Sequence, residues 1–82
     1  MIKNKKVLDL LRQIQGLAIQ TPKIIMYYQE DVSLFSIYSF KEDGKYAYKK
    51  QTYIDGAIYG EEQTIVDLKN ILKDLEEMNK WT

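Results

Sequence analysis

Aromatic residues are crowded into one stretch of this 82-residue chain, and that crowding limits the fold more than any other feature. Nine of the ten aromatic residues fall between Tyr27 and Tyr59. Aromatic and β-branched residues favour strands, and turn-forming residues divide this stretch into short runs. We therefore predict an antiparallel meander that the rest of the chain must cover.

Three strands are predicted in the meander, over residues 23–29, 32–40 and 45–54. A turn at residues 30–31 joins the first two. After the third strand, Asp55-Gly56 predicts either a tight turn into a short fourth strand, residues 57–59, or a glycine bulge in one long bent strand.

The hairpin between the second and third strands sets which side chains share a face. We predict a three-residue loop with Gly44 in the left-handed region, because it aligns Phe40 with Tyr46 and Tyr38 with Tyr48. The opposite face would then carry a mixed set of residues: Phe35, Ile37, Ala47, Lys49, Gln51 and Tyr53.

A helix is predicted on each side of the meander. Asn4 is the expected N-cap of the first, which should end between Gly16 and Gln20 because Pro22 biases Thr21 towards extended geometry. Its apolar stripe consists of residues at three- and four-residue steps: Val7, Leu10, Leu11, Ile14, Leu17 and Ala18.

The second helix should begin at Thr64, which with Asp67 approximates a capping box. Its apolar stripe follows the same spacing: Ile65, Leu68, Ile71, Leu72, Leu75 and Met78. The remaining charged residues predict a solvated outer face: Asp67, Lys69, Lys73, Asp74, Glu76, Glu77 and Lys80.

These elements predict a single α+β domain over residues 1–82. An N-terminal helix, an antiparallel meander of three or four strands and a C-terminal helix follow one another, with both helices on one face of the sheet. Such an arrangement leaves Phe35, Ile37 and Tyr53 on the uncovered face, together with Ile24 or Ile25 depending on register. Exposed apolar surface usually marks an interface, so we expect self-association through this face or through an unpaired edge strand.

The composition makes an enzyme the least favoured class. The chain contains no Cys and no His, which removes the commonest zinc ligands, the thiolate nucleophile and the usual neutral-pH proton shuttle. Glu61 and Glu62 are expected to complement the dipole of the second helix. We therefore predict no catalytic residue, no metal site and no cofactor.

Charge is unevenly distributed although the formal net charge is zero. Residues 1–50 carry nine Lys or Arg against five Asp or Glu, and residues 51–82 carry three against seven. A local basic patch is expected near the hairpin, at Lys41, Lys45, Lys49 and Lys50. No stretch approaches the roughly 18 apolar residues of a membrane span, so a cytoplasmic protein without membrane contact is expected.

Two resemblances bear on nucleic acid. The order of helix, three-stranded meander and helix is similar to that of double-stranded RNA-binding domains, whose last helix begins with basic residues where this chain has Glu61-Glu62-Gln63. The stretch from Asp43 to Tyr48, followed by Gly60 and a helix, resembles the arm-binding domain of phage-type integrases. That resemblance implies contact with DNA through the sheet. Strict alternation, however, would place Tyr46 and Tyr48 on one face and Lys45 and Lys49 on the other.

A third resemblance lies in size, composition and element order. A small single-domain protein rich in Lys and Tyr, without Cys or His, is similar to the proteins that phages use against bacterial defences, such as anti-CRISPR proteins. The resemblance implies a non-enzymatic inhibitor that binds a larger bacterial protein in the cytoplasm of the host. Nucleic-acid binding through the sheet is the alternative, and a small enzyme comes third.

We predict that the partner-binding residues are aromatic or apolar residues of the sheet with lysines around them: Phe35, Ile37, Lys45, Lys49, Lys50 and Tyr53. The partner is expected to be a larger bacterial protein, with a homodimer as a further expectation.

Overall fold

A computed structural model describes residues 4–21, 23–54 and 60–80. Two α-helices and three strands follow one another: α1 (Lys5–Gln20), β1 (Ile25–Gln29), β2 (Leu34–Phe40), β3 (Tyr46–Tyr53) and α2 (Glu61–Lys80). A short 3-10 helix (Glu30–Val32) joins β1 to β2. The strands form an antiparallel sheet in the order β1-β2-β3. The predicted α+β fold with a helix at each end is confirmed, whereas the predicted fourth strand lies outside the described residues.

The N-terminal helix begins and ends as its capping residues dictate. The Asn4 side chain accepts a hydrogen bond from the Val7 amide at 3.2 Å, which satisfies one of the free donors of the first turn. At the other end, the Thr21 hydroxyl donates to the Leu17 carbonyl at 2.7 Å, and the Thr21 backbone is extended. The predicted N-cap and the predicted end of this helix are confirmed.

The C-terminal helix begins at Glu61, three residues before the predicted cap. Thr64 is fully buried inside the first turn, where its hydroxyl donates to the Tyr53 carbonyl at 2.6 Å. The predicted capping box is therefore wrong, because Thr64 lies inside the helix and is not its N-cap. Its hydroxyl contacts the end of β3 and, at 3.3 Å, the Gly60 carbonyl. Glu61 and Glu62 occupy the first turn, where negative charge is favourable.

The two helices run in the same direction. At their first turns the Asn4 amide donates to the Glu61 carboxylate at 2.9 Å. Near their last turns the Asn79 amide donates to the Thr21 hydroxyl at 2.8 Å. The three described strands cross the sheet an odd number of times, so α2 starts at the end of the sheet where α1 starts. The two helices are therefore parallel.

The hairpin has the predicted loop. The Lys41 amide donates to the Lys45 carbonyl at 2.7 Å, and three residues lie between this pair. Gly44 has a φ of 86°, in the left-handed region that only glycine adopts readily. Phe40 lies opposite Tyr46, as predicted.

A β-bulge at Ala47 then shifts the register of β3 by one residue. Phe40 pairs with Tyr46 but Ser39 pairs with Tyr48, so Ala47 has no partner on β2. An extra residue of this kind turns every following side chain to the other face. Tyr38 consequently lies opposite Lys49, and its predicted alignment with Tyr48 is wrong.

The helices cover the face of the sheet that carries Phe35 and Ile37. These side chains are 5% and 0% exposed and form one cluster with the buried residues of both helices. The prediction that they lie on the uncovered face is wrong. Both faces of β2 are apolar in sequence, and the predicted pairing lacked the bulge that places Phe35 opposite Thr52.

Two carboxylates of α2 hold this helix on β3. The Thr52 hydroxyl donates to Asp67 at 2.9 Å, and the Tyr48 hydroxyl donates to Asp74 at 2.8 Å. Asp67 and Asp74 are half-buried, so their predicted place on a solvated outer face is wrong. Their separation of two helical turns matches the two residues of β3 that face them.

The rest of the core agrees with the predicted stripes. Its buried apolar residues come from both helices, from β2 and from the position after β3: Val7, Leu10, Leu11, Ile14, Ala18, Phe35, Ile37, Ile54, Leu68, Ile71 and Leu75.

Candidate functional site: an aromatic face of the sheet

The face of the sheet turned away from the helices is the most distinctive surface of the described chain. We call it the open face. It is made of the alternate residues of the three strands that share one side: Ile25, Tyr27, Gln29, Leu34, Ser36, Tyr38, Phe40, Tyr46, Lys49, Gln51 and Tyr53. Neither described helix packs against it. Four of its large apolar or aromatic side chains are between 42% and 54% exposed: Ile25, Tyr27, Phe40 and Tyr46.

Three aromatic rings form a cluster at one end of the open face. Phe40 and Tyr46 stack across the two strands with ring centroids 4.9 Å apart and planes 22° from parallel. Tyr38 meets both rings edge-on, at 5.5 Å from Phe40 and 5.8 Å from Tyr46. Mutual contacts of this kind hold the rings in place while they remain accessible.

A lysine completes the cluster. The Lys49 ammonium group lies 4.8 Å from the centre of the Tyr46 ring, within the range of a cation–π contact. The bulge makes this contact possible, since it puts Tyr46 and Lys49 on one face and Tyr48 on the other. The expectation that tyrosine and lysine occupy opposite faces is therefore wrong for this pair.

The structure divides the predicted partner-binding residues among four places. Lys49 and Tyr53 lie on the open face, while Phe35 and Ile37 are in the core. Lys45 is exposed in the hairpin loop. Lys50 is exposed as well, but it pairs with Ile37 and so belongs to the covered side of β3.

Sequence reasoning missed the aromatic cluster as a site although it contained part of the signal. The alignment of Phe40 with Tyr46 was predicted, and Tyr38 precedes Phe40 by the two-residue step of a strand. The predicted arrangement places these rings on the face that the helices cover. The open-face residues that were not predicted as contacts are exposed Tyr27, Phe40 and Tyr46 and half-buried Tyr38.

The chemistry of the open face is that of a contact surface. Lys49 and Lys50 are the only charged residues in the three strands, and the strands contain no carboxylate. Tyr48, on the covered side, has its pKa raised by burial and by its hydrogen bond to Asp74, so its phenol keeps its proton to higher pH than an ordinary tyrosine does. Stacking, apolar contact and one fixed positive charge are what the open face offers.

A second concave region lies between α1 and β1. It is a cleft of about 360 Å³ lined by apolar side chains and by two polar ones: Leu8, Leu11, Arg12, Gln15, Met26, Tyr27, Tyr28, Phe35 and Ile54. Leu8, Arg12 and Gln15 follow helical spacing and form the wall contributed by α1.

Two features are absent from the described residues. Among them no group of three His, Cys, Asp or Glu residues is placed to hold a metal ion. Neither of the helices they form is both long and apolar enough to cross a membrane.

Comparison with known proteins does not add to this description. No protein-family model, no curated protein and no solved structure matches the chain. Function has to be argued from the geometry of the open face.

Proposed function

We propose that this chain is a non-enzymatic binding protein whose open face occupies a surface of a larger bacterial protein. In this proposal it acts as an inhibitor of the kind that phages and mobile elements direct against bacterial defence or regulatory proteins. The chain resembles one class of such inhibitors, the anti-CRISPR proteins, in size and composition. The observation that carries the proposal is the cluster that half-buried Tyr38 forms with exposed Phe40 and Tyr46, with Lys49 lying over one ring.

Exposed aromatic rings leave a large apolar area in contact with water, and burying that area against a partner is favourable. Large side chains such as Phe40 and Tyr46 contribute much of the binding energy of protein interfaces, because they bury a large area and lose few rotamers on binding. Here the rings already stack on each other, so binding would restrict them little further. A preorganised aromatic patch of this kind favours a protein partner with an apolar pocket.

Charge around the cluster would orient the partner. Lys49 lies within the patch, and the adjoining hairpin exposes two lysines and two acids: Lys41, Glu42, Asp43 and Lys45. Because these hairpin charges cancel, Lys49 is the net positive charge of the patch. The carboxylates Asp67 and Asp74 are on the opposite side of the sheet, where they bind β3. The open face therefore favours a partner surface with a carboxylate near an apolar pocket.

Affinity capture from a bacterial lysate with matched baits tests this proposal. The wild-type chain, a Phe40→Ser/Tyr46→Ser double variant and a Val66→Ser control would be compared by mass spectrometry. Val66 is a suitable control because it is 50% exposed on α2, away from the sheet. We expect a protein that wild type and control retain and that the double variant loses.

The affinity for the captured protein then gives the magnitude. Alanine at Phe40 or Tyr46 should each weaken binding by about 2 kcal/mol, whereas alanine at Lys45 should mainly slow association. Equal retention by all three baits, in variants that remain folded, would sink the proposal. So would a substrate whose turnover follows the purified chain.

Nucleic-acid binding is the second candidate, and the contact between Lys49 and Tyr46 favours it. A base can stack on an aromatic ring while a neighbouring lysine contacts phosphate, and the two groups share the open face. Retention on immobilised single-stranded DNA over a salt gradient distinguishes the two functions, because phosphate contacts weaken steeply with salt. Loss of retention in Lys49→Gln but not in Lys73→Gln would support this candidate over the first.

A further inference from the structure

The two edges of the sheet differ in how they are protected against strand pairing. β3 carries a bulge at Ala47 and the lysines Lys49 and Lys50, and both features discourage another strand from pairing with an edge. β1 (Ile25–Gln29) has no charged residue, no proline and no bulge. Among the described strands its only neighbour is β2. The outer backbone groups of β1 are thus arranged to accept a further strand.

The covered side of β1 is also incompletely covered. Tyr28 pairs with Phe35 and so points to the side of the helices, yet it is 41% exposed, whereas Phe35 is 5% exposed. The cleft between α1 and β1 adjoins it. A strand added to β1 would direct every second side chain into this cleft.

We propose that the added strand is β1 of a second copy of this chain. Antiparallel pairing about Tyr27 places Met26 opposite Tyr28 of the second copy, and Ile25 opposite its Gln29. Tyr28 of each copy then points into the cleft of the other, so two identical surfaces satisfy each other. The result is one sheet of six strands with the four helices on one side.

The sequence of β1 suits this symmetry. Every residue in the strand is uncharged, so no like charges meet across the two-fold axis. Arg12 is the only charged side chain that lines the cleft, and it comes from α1 rather than from the strand. An extended peptide from another protein could use the same edge, but Tyr28 provides the fitting side chain within this chain itself.

This inference is independent of the proposed function. The dimer is formed through the backbone edge of β1, whereas the proposed partner binds the aromatic cluster at the hairpin end of the open face. Loss of one interaction leaves the other measurable.

Sedimentation velocity tests the dimer with two matched variants. Tyr27 and Gln51 lie in the same cross-strand row of the open face, on opposite edges of the sheet. Tyr27→Lys puts two lysines face to face at the axis, and we expect it to raise the dimer dissociation constant about tenfold or more. Gln51→Lys should leave the dissociation constant unchanged. A wild-type chain that stays monomeric up to about 200 µM, or equal effects of the two variants, overturns the proposal.

Cross-linking gives a second measurement that does not depend on weakening the dimer. The chain has no cysteine, so a single introduced thiol reports on one position. Directly opposed residues of antiparallel strands have Cα atoms about 4.5–5.5 Å apart, within the range of a disulfide. Under mild oxidation Tyr27→Cys should form a covalent dimer much faster than Gln51→Cys. Equal rates for the two variants contradict pairing at β1, and so does a Tyr27→Cys chain that stays monomeric after oxidation. Binding of a foreign peptide at this edge without self-association also contradicts the proposal.

Discussion

Single side chains on β3 and α2 decide how the second helix sits on the sheet. Tyr48 and Thr52 donate to Asp74 and Asp67, and each of these bonds joins a strand to a helix across the core. A half-buried carboxylate that loses its donor keeps the cost of its desolvation. These two bonds therefore contribute more to the placement of α2 than exposed charges elsewhere on this helix.

Tyr48→Phe should lower the free energy of unfolding by about 1–2 kcal/mol at pH 7, because the Asp74 carboxylate loses its donor. Burial and the contact with Asp74 raise the pKa of Tyr48 above its ordinary value of 10.0. The unfolded chain therefore loses this proton first, and the stabilisation by Tyr48 is complete below pH 10 and declines as pH rises towards the raised pKa.

Urea unfolding of both chains at a series of pH values checks this. The difference between wild type and Tyr48→Phe should shrink above pH 10.0, the ordinary pKa of the phenol. Tyr27→Phe serves as a control, because this ring is 54% exposed. A difference that is constant with pH would show that the bond to Asp74 does not control the titration of Tyr48.

Phe35→Ser and Phe40→Ser form a pair that separates the core from the open face. Phe35 is 5% exposed and Phe40 is 42% exposed, and they lie near opposite ends of β2 on opposite faces of the sheet. We expect Phe35→Ser to destabilise the fold by about 3 kcal/mol or more, and Phe40→Ser by about 1 kcal/mol or less. Thermal unfolding measures both, and similar losses would contradict the assignment of the two faces.

At the scale of elements, the glycines of α1 and of the hairpin show opposite demands. A Cβ at Gly16 or at Gly44 would meet no atom within 4 Å, so any effect of alanine comes from the backbone. Gly44→Ala should destabilise by about 1 kcal/mol because its φ is positive. Gly16→Ala should stabilise by about 0.5–1 kcal/mol, because alanine favours a helix. Chemical denaturation of both variants gives the two signs, and a common sign would refute this account of the hairpin.

The elements differed in how far the sequence could predict them. The apolar stripes were sufficient to predict both helices and their buried faces, because the apolar residues of each helix, such as Ile14 and Leu68, lie on one side of it. In the strands both sides are apolar, and the bulge at Ala47 exchanges them beyond that point. The pattern around Ala47 gives no local sign of an extra residue, so the predicted register of β3 on β2 is wrong by one residue. Because both sides of β2 are apolar, nothing in β2 itself identifies the side of Phe35 and Ile37 as the core side.

The candidate site inherits this ambiguity. Lys49 and Tyr53 were predicted as contact residues and lie on the open face, but they share it with Tyr38 rather than with Phe35. The stacking of Phe40 on Tyr46 depends on the distance between two ring planes, which strand spacing alone does not determine. The residue types therefore indicated that a contact surface exists. Identifying the residues that form it required the register of the strands.

At the scale of the whole molecule, β2 should be the most protected part of the sheet. It pairs on both sides and contains Phe35 and Ile37, whereas β1 and β3 each pair on one side among the described strands. Hydrogen exchange followed by NMR at low protein concentration should show the slowest strand amides in β2. Amides of β1 that exchange as slowly under these conditions would show that its outer edge is already occupied within one chain.

The lysines and the bulge of β3 also limit what the molecule can become. Fibrils grow when a subunit keeps an unsatisfied strand at each end, so that every addition exposes another site for the next. In this chain one end of the sheet is closed to that process by Ala47, Lys49 and Lys50. Once β1 is paired, both outer strands of the assembly are copies of β3, and polymerisation through the sheet stops at two chains.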